Sequence, residues 1–400
     1  MKILKDGMIY ISGEILSKVM PFLMLPYLTR KLGVEEYGQL SISLSIIAIC
    51  VVFFNFGQDG ALPRGFYVYG KNIAGLVFRV GLLYSTLLFI IALVFSLLYH
   101  ISIFILLCAL TQIYFGQCLV YLQCRKDSIK YVRFQFLFSF FSSLFTILLF
   151  EFVDISVTSR LISISLTNFV LFLILLKGLG LRGLGVKNIW KGNVRETKIG
   201  FLFIFSYGWP LLIHQVAIYS KAQFDRVFLA QYYSGFDIGI YSAGFQLASI
   251  IMVVLMAINK ASVPYYFEAL KNGVIDKKNI YRVLFISIVI CALLCMLFFL
   301  VPDKLILYFL GRDFSGASYY VKIFAMGISI NIPYLILANY FFFLGKTKDV
   351  AISNIFSALI YVGLLWNLKS KGIEYVPYCL LISNIFLLFF VFMRFNKLRG

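Results

Sequence analysis

The stretch MIYISGEILSKVMPFLMLPYL, Met8 to Leu28, decides the class of this chain. It can cross a bilayer, because about 20 predominantly apolar residues span the hydrocarbon core. Yet it carries Glu14 and Lys18. A charge at mid-bilayer costs roughly 2.5–3.5 kcal/mol on insertion scales, so such residues face a watery cavity or a partner. Glu14 and Lys18 share one helical face, with the acid N-terminal to the base. Two readings follow: a self-neutralising pair that helps helices pack, or a first helix that lines a polar path.

The rest of the chain has the same character. Its 400 residues are 62% hydrophobic and only 13% charged, with a mean hydropathy of +0.94. A soluble globular surface needs far more charge. The apolar runs are too long for barrel strands, so the fold class is an all-α polytopic membrane protein. The net charge of +19 does not indicate nucleic acid, because the basic residues sit between apolar runs and signal topology. Lys2 and Lys5 imitate a secretory signal, but Lys18, Pro21 and Pro26 interrupt the run and no small-residue cleavage site follows. Cys50, Cys108, Cys118, Cys124, Cys291, Cys295 and Cys379 lack zinc-like spacing and read as small apolar residues; no metal or cofactor is expected.

Windows of about 20 residues give about twelve spans. They run over 8–28, 38–57, 76–99, 101–122, 134–153, 157–176, 206–230, 240–260, 283–301, 321–343, 350–367 and 375–393, with a tight turn near His100. Alternate loops and both termini collect 25 Lys and Arg; the opposite loops hold 10, with Lys18 set aside. The positive-inside rule then puts both ends of this inner-type membrane protein on the cytoplasmic side.

The longest polar connection, 177–198, splits the spans six and six. Its glycines lack the strand and βαβ context of a nucleotide loop, so it reads as a basic cytoplasmic linker. The expected domains are an N-terminal bundle (1–176), this linker and a C-terminal bundle (199–400). The halves repeat each other: Leu28 to Gly33 with Tyr37-Gly38 corresponds to Leu229 to Ser234 with Tyr241-Ser242, and Asn55…Pro63 to Asn259…Pro264. Parallel repeats of this kind enclose a substrate path between them.

The seventh span repeats the oddity of the first. His214, Lys221 and Asp225 fall on one stripe of a continuous helix, with Arg226 beside it. Asp59 and Arg64 end the second span and Lys260 the eighth. From Arg64 and Lys260 through Lys18 to Lys221 and Arg226, the cations form a ladder suited to an anionic cargo. Arg64 and Lys260 also read as topology signals, Arg226 as an edge snorkel beside Asp225 and His214 as a packing residue, whereas Lys18 and Lys221 do not readily reach headgroups. Pro21, Pro26 and Pro333 are expected to kink their spans.

Three motifs carry a family resemblance. Leu25-Pro26…Leu32-Gly33-Val34-Glu35-Glu36-Tyr37-Gly38 resembles the first-helix signature of bacterial polysaccharide exporters. Gly208-Trp209-Pro210…Asp225-Arg226-Val227-Phe228-Leu229…Asp237-Ile238-Gly239-Ile240-Tyr241-Ser242-Ala243 resembles their seventh-to-eighth-helix signature. Leu310-Gly311-Arg312-Asp313-Phe314…Ala317 is similar to their outer segment before the tenth span. The nearest group is the O-antigen flippases (Wzx) of the multidrug/oligosaccharidyl-lipid/polysaccharide exporter superfamily. The resemblance implies two six-helix bundles forming a V around a central cavity. It implies alternating-access transfer of undecaprenyl-pyrophosphate-linked O-antigen or other repeat units from the cytoplasmic to the periplasmic leaflet. Lys18, Lys221, Arg226, Lys260 and Arg64 are the positions able to hold the diphosphate; Glu14, His214, Asp225 and Asp59 are candidate ion-coupling groups. The implied partners are the lipid-linked oligosaccharide, membrane lipids, a polysaccharide polymerase and a chain-length regulator.

Rival readings are an O-antigen polymerase, a drug/cation antiporter of the same fold and a membrane acyltransferase. The polymerase usually needs a large outer loop, and the antiporter an acidic cavity; neither feature is present in the sequence pattern. The acyltransferase needs a catalytic His, and neither His100 nor His214 has a recognisable motif.

Overall fold

Long apolar segments have one stable form in a bilayer, because every backbone N–H and C=O must be satisfied within the segment or a closed barrel. The computed structural model describes the backbone of residues 2–99, 101–179, 194–274 and 277–397, and the side chains of 19–98, 101–178, 194–274 and 278–397. The side chains of Glu14 and Lys18, the residue His100 and most of the glycine-bearing linker therefore lie outside the described residues. The described residues are all-helical, as expected, with no strand among them.

The first half contains α1 (Lys2–Asn55), α2 (Gln58–Arg64), α3 (Lys71–Tyr99), α4 (Ile103–Cys124), α5 (Ser128–Phe152) and α6 (Val157–Leu179). The second begins with α7 (Val194–Ala222), α8 (Phe224–Leu229), α9 (Gly235–Ala248) and α10 (Ile250–Lys271). It continues through α11 (Lys277–Leu300), α12 (Asp303–Leu310), α13 (Ala317–Ser329) and α14 (Asn331–Phe343), and ends with α15 (Thr347–Leu368) and α16 (Pro377–Lys397). Eleven helical stretches among the described residues are long and apolar enough to cross a membrane. The first is divided at Gly33 (φ 73°), which is consistent with about twelve spans.

The breaks differ from those expected. Pro21 and Pro26 lie in backbone with helical dihedrals, and the departure falls at Gly33, whose missing Cβ permits a positive φ. The seventh span is not one helix over 206–230: Gln223 (φ −142°) separates α7 from α8. Lys221 and Asp225 therefore do not share a continuous helical stripe. The tenth span does break where its proline predicts. α13 and α14 meet at Ile330, where the Pro333 ring opposes the carbonyl of the preceding turn.

The chain forms two compact units, one of residues 1–21 and 43–219, the other of residues 22–42 and 220–400. Unit 1 thus includes most of α7, and unit 2 includes the Gly33 corner. The unit 1 core packs Leu62, Phe78, Tyr121 and Leu122 against Leu171 and Phe172. Unit 2 has one core around Tyr241, Phe324 and Tyr361, and another around Phe341 and Phe395.

In unit 2 the Gly33 corner crosses the start of α9 at backbone contact. A Cβ on Gly38 would lie 1.9 Å from the Gly235 carbonyl oxygen, and one on Gly239 would lie 2.1 Å from that of Val34. Ser234 and Asp237 form a capping box that starts α9 at this place. The third motif joins the same cluster. The Phe314 ring meets Tyr37 edge-on at 5.8 Å, Arg30 donates to the Tyr308 carbonyl at 2.5 Å, and Phe22 stacks on Phe309. α12 is tied to α13 through Lys322, which donates to Asp303 at 2.9 Å. The Ser318 hydroxyl, followed by Lys322, holds the Asp303 carboxyl below the usual carboxylate range.

Overpacking a close contact costs roughly 1–3 kcal/mol, and here the obstacle is backbone. Gly38→Ala is therefore expected to lower the melting temperature of the purified protein. Gly363, with nothing within 4 Å of its added Cβ, supplies the control: Gly363→Ala should leave it unchanged or slightly higher. Equal melting temperatures for the two variants would remove the crossing's claim to hold unit 2.

Candidate functional site

The candidate residues fall in both units, and their partners sort them. In unit 1, Asp59 and Arg64 belong to α2, which follows a sharp turn at Phe56 (φ 44°) and Gly57 (φ 72°). This turn lets α7 approach closely: a Cβ on Gly208 would lie 2.1 Å from the Phe56 carbonyl oxygen. Asp59 is exposed and accepts from the Asn55 amide at 2.9 Å. The Arg64 guanidinium, also exposed, lies 5.0 Å from the Tyr207 ring centroid. His214 is exposed on α7, and its helical register puts it on the face of Tyr207 and Leu211. The structure thus brings α2, with Asp59 and Arg64, beside α7 within unit 1.

In unit 2 the two neighbouring cations behave oppositely. Arg226 is buried in α8 and donates to the Ala222 carbonyl at 2.8 Å and the Gln223 amide oxygen at 3.1 Å. It lies 3.5 Å from the Asp225 carboxylate and 4.4 Å from the Phe245 ring centroid. Asp225 also accepts from the Arg226 backbone N–H at 2.9 Å and from the Tyr241 hydroxyl. This pair is neutral overall and enclosed, so the geometry gives it a role in holding α8 against α9.

Lys221, one turn earlier, points into the helices of unit 2. Its ammonium donates to the Ser357 hydroxyl of α15 at 2.9 Å and to the Asn384 amide oxygen of α16 at 2.6 Å. Both acceptors are fixed in turn. Ser357 donates to the Ser383 carbonyl at 2.7 Å, and the Asn384 amide donates to the Gly327 carbonyl at 2.8 Å. The amide must therefore turn its oxygen to the lysine. Among the described residues no carboxylate pairs with Lys221. Among these residues it is a half-buried cation held by neutral oxygens alone. Such a group attracts an anion, since ion pairing strengthens as water is removed.

Lys260 is exposed on α10; the preceding residue, Asn259, accepts from Asn339 at 2.7 Å. The positions that spacing missed are Ser357, Asn384 and the buried Arg160 of α6. Nothing in their own local sequence marks them, because their role depends on which distant side chain meets them.

Residues 3–270 match the family described as "Polysaccharide biosynthesis protein", and residues 210–366 match the MatE family. An "Uncharacterized membrane protein" of Haemophilus influenzae is 36% identical over 381 residues, 94% of this chain and 93% of the relative. The "Lsg locus putative protein 1" of the same organism is 32% identical over 404 residues, 99% of each. Among solved structures, an inward-facing multidrug resistance MATE family transporter of the MOP superfamily superposes with a TM-score of 0.69. That match has 13% identity and covers 96% of this chain and 98% of the other. It establishes the fold.

The opposite behaviour of Arg226 and Lys221 can be tested by stability. Asp225→Asn leaves a buried guanidinium unpaired, which costs roughly 3–5 kcal/mol. It is expected to reduce the folded yield and melting temperature sharply. Asp225→Asn combined with Arg226→Met should recover much of the loss. A single Asp225→Asn variant as stable as the wild type would show that the pair does not hold α8.

Proposed function

The chain belongs to the polysaccharide biosynthesis protein family, within a superfamily of multi-pass membrane transporters, and from that premise we propose that it flips a lipid-linked oligosaccharide. The cargo in this reading is an undecaprenyl-pyrophosphate-linked repeat unit, of O-antigen type. It passes from the cytoplasmic to the periplasmic leaflet of a bacterial inner membrane, with both termini of the protein in the cytoplasm.

The observation that carries the reading is Lys221, held at 2.9 Å by Ser357 and at 2.6 Å by Asn384, with no carboxylate pairing among the described residues. A diphosphate crossing the membrane needs a charge that the protein has not already neutralised. The glycan would cross in water while the prenyl tail stays in lipid, and alternating access would expose the cation to either side. An inside-negative potential assists outward movement of negative charge by about 2.3 kcal/mol per elementary charge per 100 mV. Lys18, Arg64 and Lys260 belong to the same proposal as further cations for the diphosphate.

The MatE match over 210–366 favours a second reading, a drug/cation antiporter. A cationic drug needs an available acid. In that stretch Asp225 is enclosed with Arg226 and Tyr241, which weighs against this reading.

The decisive experiment is deletion of the gene in a host that makes the glycan. The expected outcome is a repeat unit trapped on the cytoplasmic leaflet, with none reaching the surface. Single units capping the surface would instead mean intact translocation and a polymerase. With the variant proteins, Lys221→Met is expected to reduce translocation at least about tenfold, the scale set by losing one charge-assisted contact; Lys221→Arg should retain part. Asn384→Asp is nearly isosteric but places a carboxylate on the ammonium. It should abolish translocation while leaving expression normal. A normally expressed and fully active Lys221→Met protein would overturn the role assigned to this lysine.

A further inference from the structure

Unit 1 contains a second cation of the same kind, at a residue that spacing places with the loops. Arg160 is the fourth residue of α6 and is 9% exposed. Its Nη1 donates to the Ser142 carbonyl at 3.1 Å and to the Thr146 hydroxyl oxygen at 2.6 Å, both on α5. Thr146 is itself engaged, 2.6 Å from the Ser163 hydroxyl. These bonds use one nitrogen of the guanidinium and fix its plane.

The remaining N–H groups, on Nε and Nη2, make no hydrogen bond among the described residues. Unlike Nε of Arg79, they are not sealed from solvent. The other two buried arginines among the described residues each have a carboxylate. Arg79 lies 3.9 Å from Glu196, and Arg226 lies 3.5 Å from Asp225. Arg160 has none among the described residues. A buried charge without a partner is strongly unfavourable, and tying α5 to α6 would require only a neutral donor.

The placement has a counterpart in unit 2. There Lys221 lies against Ser357 of α15 and Asn384 of α16, the fifth and sixth spans of the second half. Arg160 engages α5 from α6, the fifth and sixth spans of the first. Among the described residues each half therefore presents, at its last helix pair, a cation without a carboxylate, although different helices supply it.

We propose that Arg160 is an oxyanion-binding site that takes a phosphate-type group on the fork formed by its Nε–H and Nη2–H. Planar fork geometry matches phosphate oxygens bidentately, and Nη1 is the nitrogen not needed for that grip. The same chemistry is offered by a phospholipid headgroup and by the diphosphate of a lipid-linked cargo. The site does not depend on the cargo assignment, because binding can be measured without transport.

The test uses the purified full-length protein and two probes, inorganic pyrophosphate in detergent and nanodiscs of phosphatidylglycerol against phosphatidylcholine. Thermal stabilisation is read for the wild type and for Arg160→Gln, each also in a Lys221→Met background to remove the other cation. Pyrophosphate stabilisation whose apparent affinity falls about tenfold or more in Arg160→Gln supports the site with a diphosphate occupant. Stabilisation by phosphatidylglycerol alone, lost in Arg160→Gln, supports the same site with a headgroup occupant. Equal responses of the wild type and Arg160→Gln to both probes overturn it. If Arg160→Gln does not fold, Arg160→Lys keeps the charge without the fork. Weaker binding by that variant supports the proposal, and binding equal to the wild type overturns it.

Discussion

The backbone contact between residues 34–38 and 235–239 is the constraint from which most of unit 2 follows. Two helices can approach to carbonyl distance only where both lack side chains, and Gly38, Gly235 and Gly239 provide this. The contact joins the two copies of the repeated motif, one from each half of the sequence. Once made, it sets the position of Tyr37 against Phe314 and of Tyr241 over Asp225. The three motifs that carry the family resemblance are thus largely one packed cluster. The glycines and aromatic residues of these motifs serve packing.

A single electrostatic rule then sorts the basic residues. Where a cation is enclosed, the structure supplies an acid, as Asp225 does for Arg226 and Glu196 for Arg79. Where a cation is exposed, as at Arg64, no enclosed partner is required. Lys221 and Arg160 follow neither course. Both are held by hydroxyl, amide or carbonyl oxygens, which orient a cation without cancelling it. Among the described residues neither has a carboxylate, and that distinction separates Lys221 from the Asp225–Arg226 pair one turn away.

The spans were legible because hydropathy over about 20 residues depends only on composition. The breaks were less so. Pro333 acted through its missing N–H and its ring, a local effect visible in sequence, and α13 ended before it. The turn at Gln223 has no such marker; it arises where α8 is held by Asp225, Arg226 and Tyr241. That turn explains why Lys221 and Asp225, four residues apart, serve different purposes. Hydropathy windows leave Arg160 among the loop charges because it begins a helix, and residue spacing does not tell whether a side chain near a helix start turns outward or inward.

Neutral acceptors also explain why the sites need so many secondary bonds. A carboxylate would hold an ammonium by charge alone, whatever its exact angle. Ser357 and Asn384 must hold Lys221 by direction, so each is fixed by a further bond, to the Ser383 and Gly327 carbonyls. Thr146 is likewise tied beside Arg160, to Ser163. Gly327 matters twice, since its carbonyl receives the Asn384 amide and its bare α-carbon lets α16 approach, with Leu381 N 3.2 Å from where a Cβ would be. A larger residue at 327 would displace α16 and release the amide. The lysine would keep its charge but lose its position. In this fold the placement of Lys221 is therefore a property of helix packing, and the same close contacts that stabilise unit 2 determine where its ammonium stands.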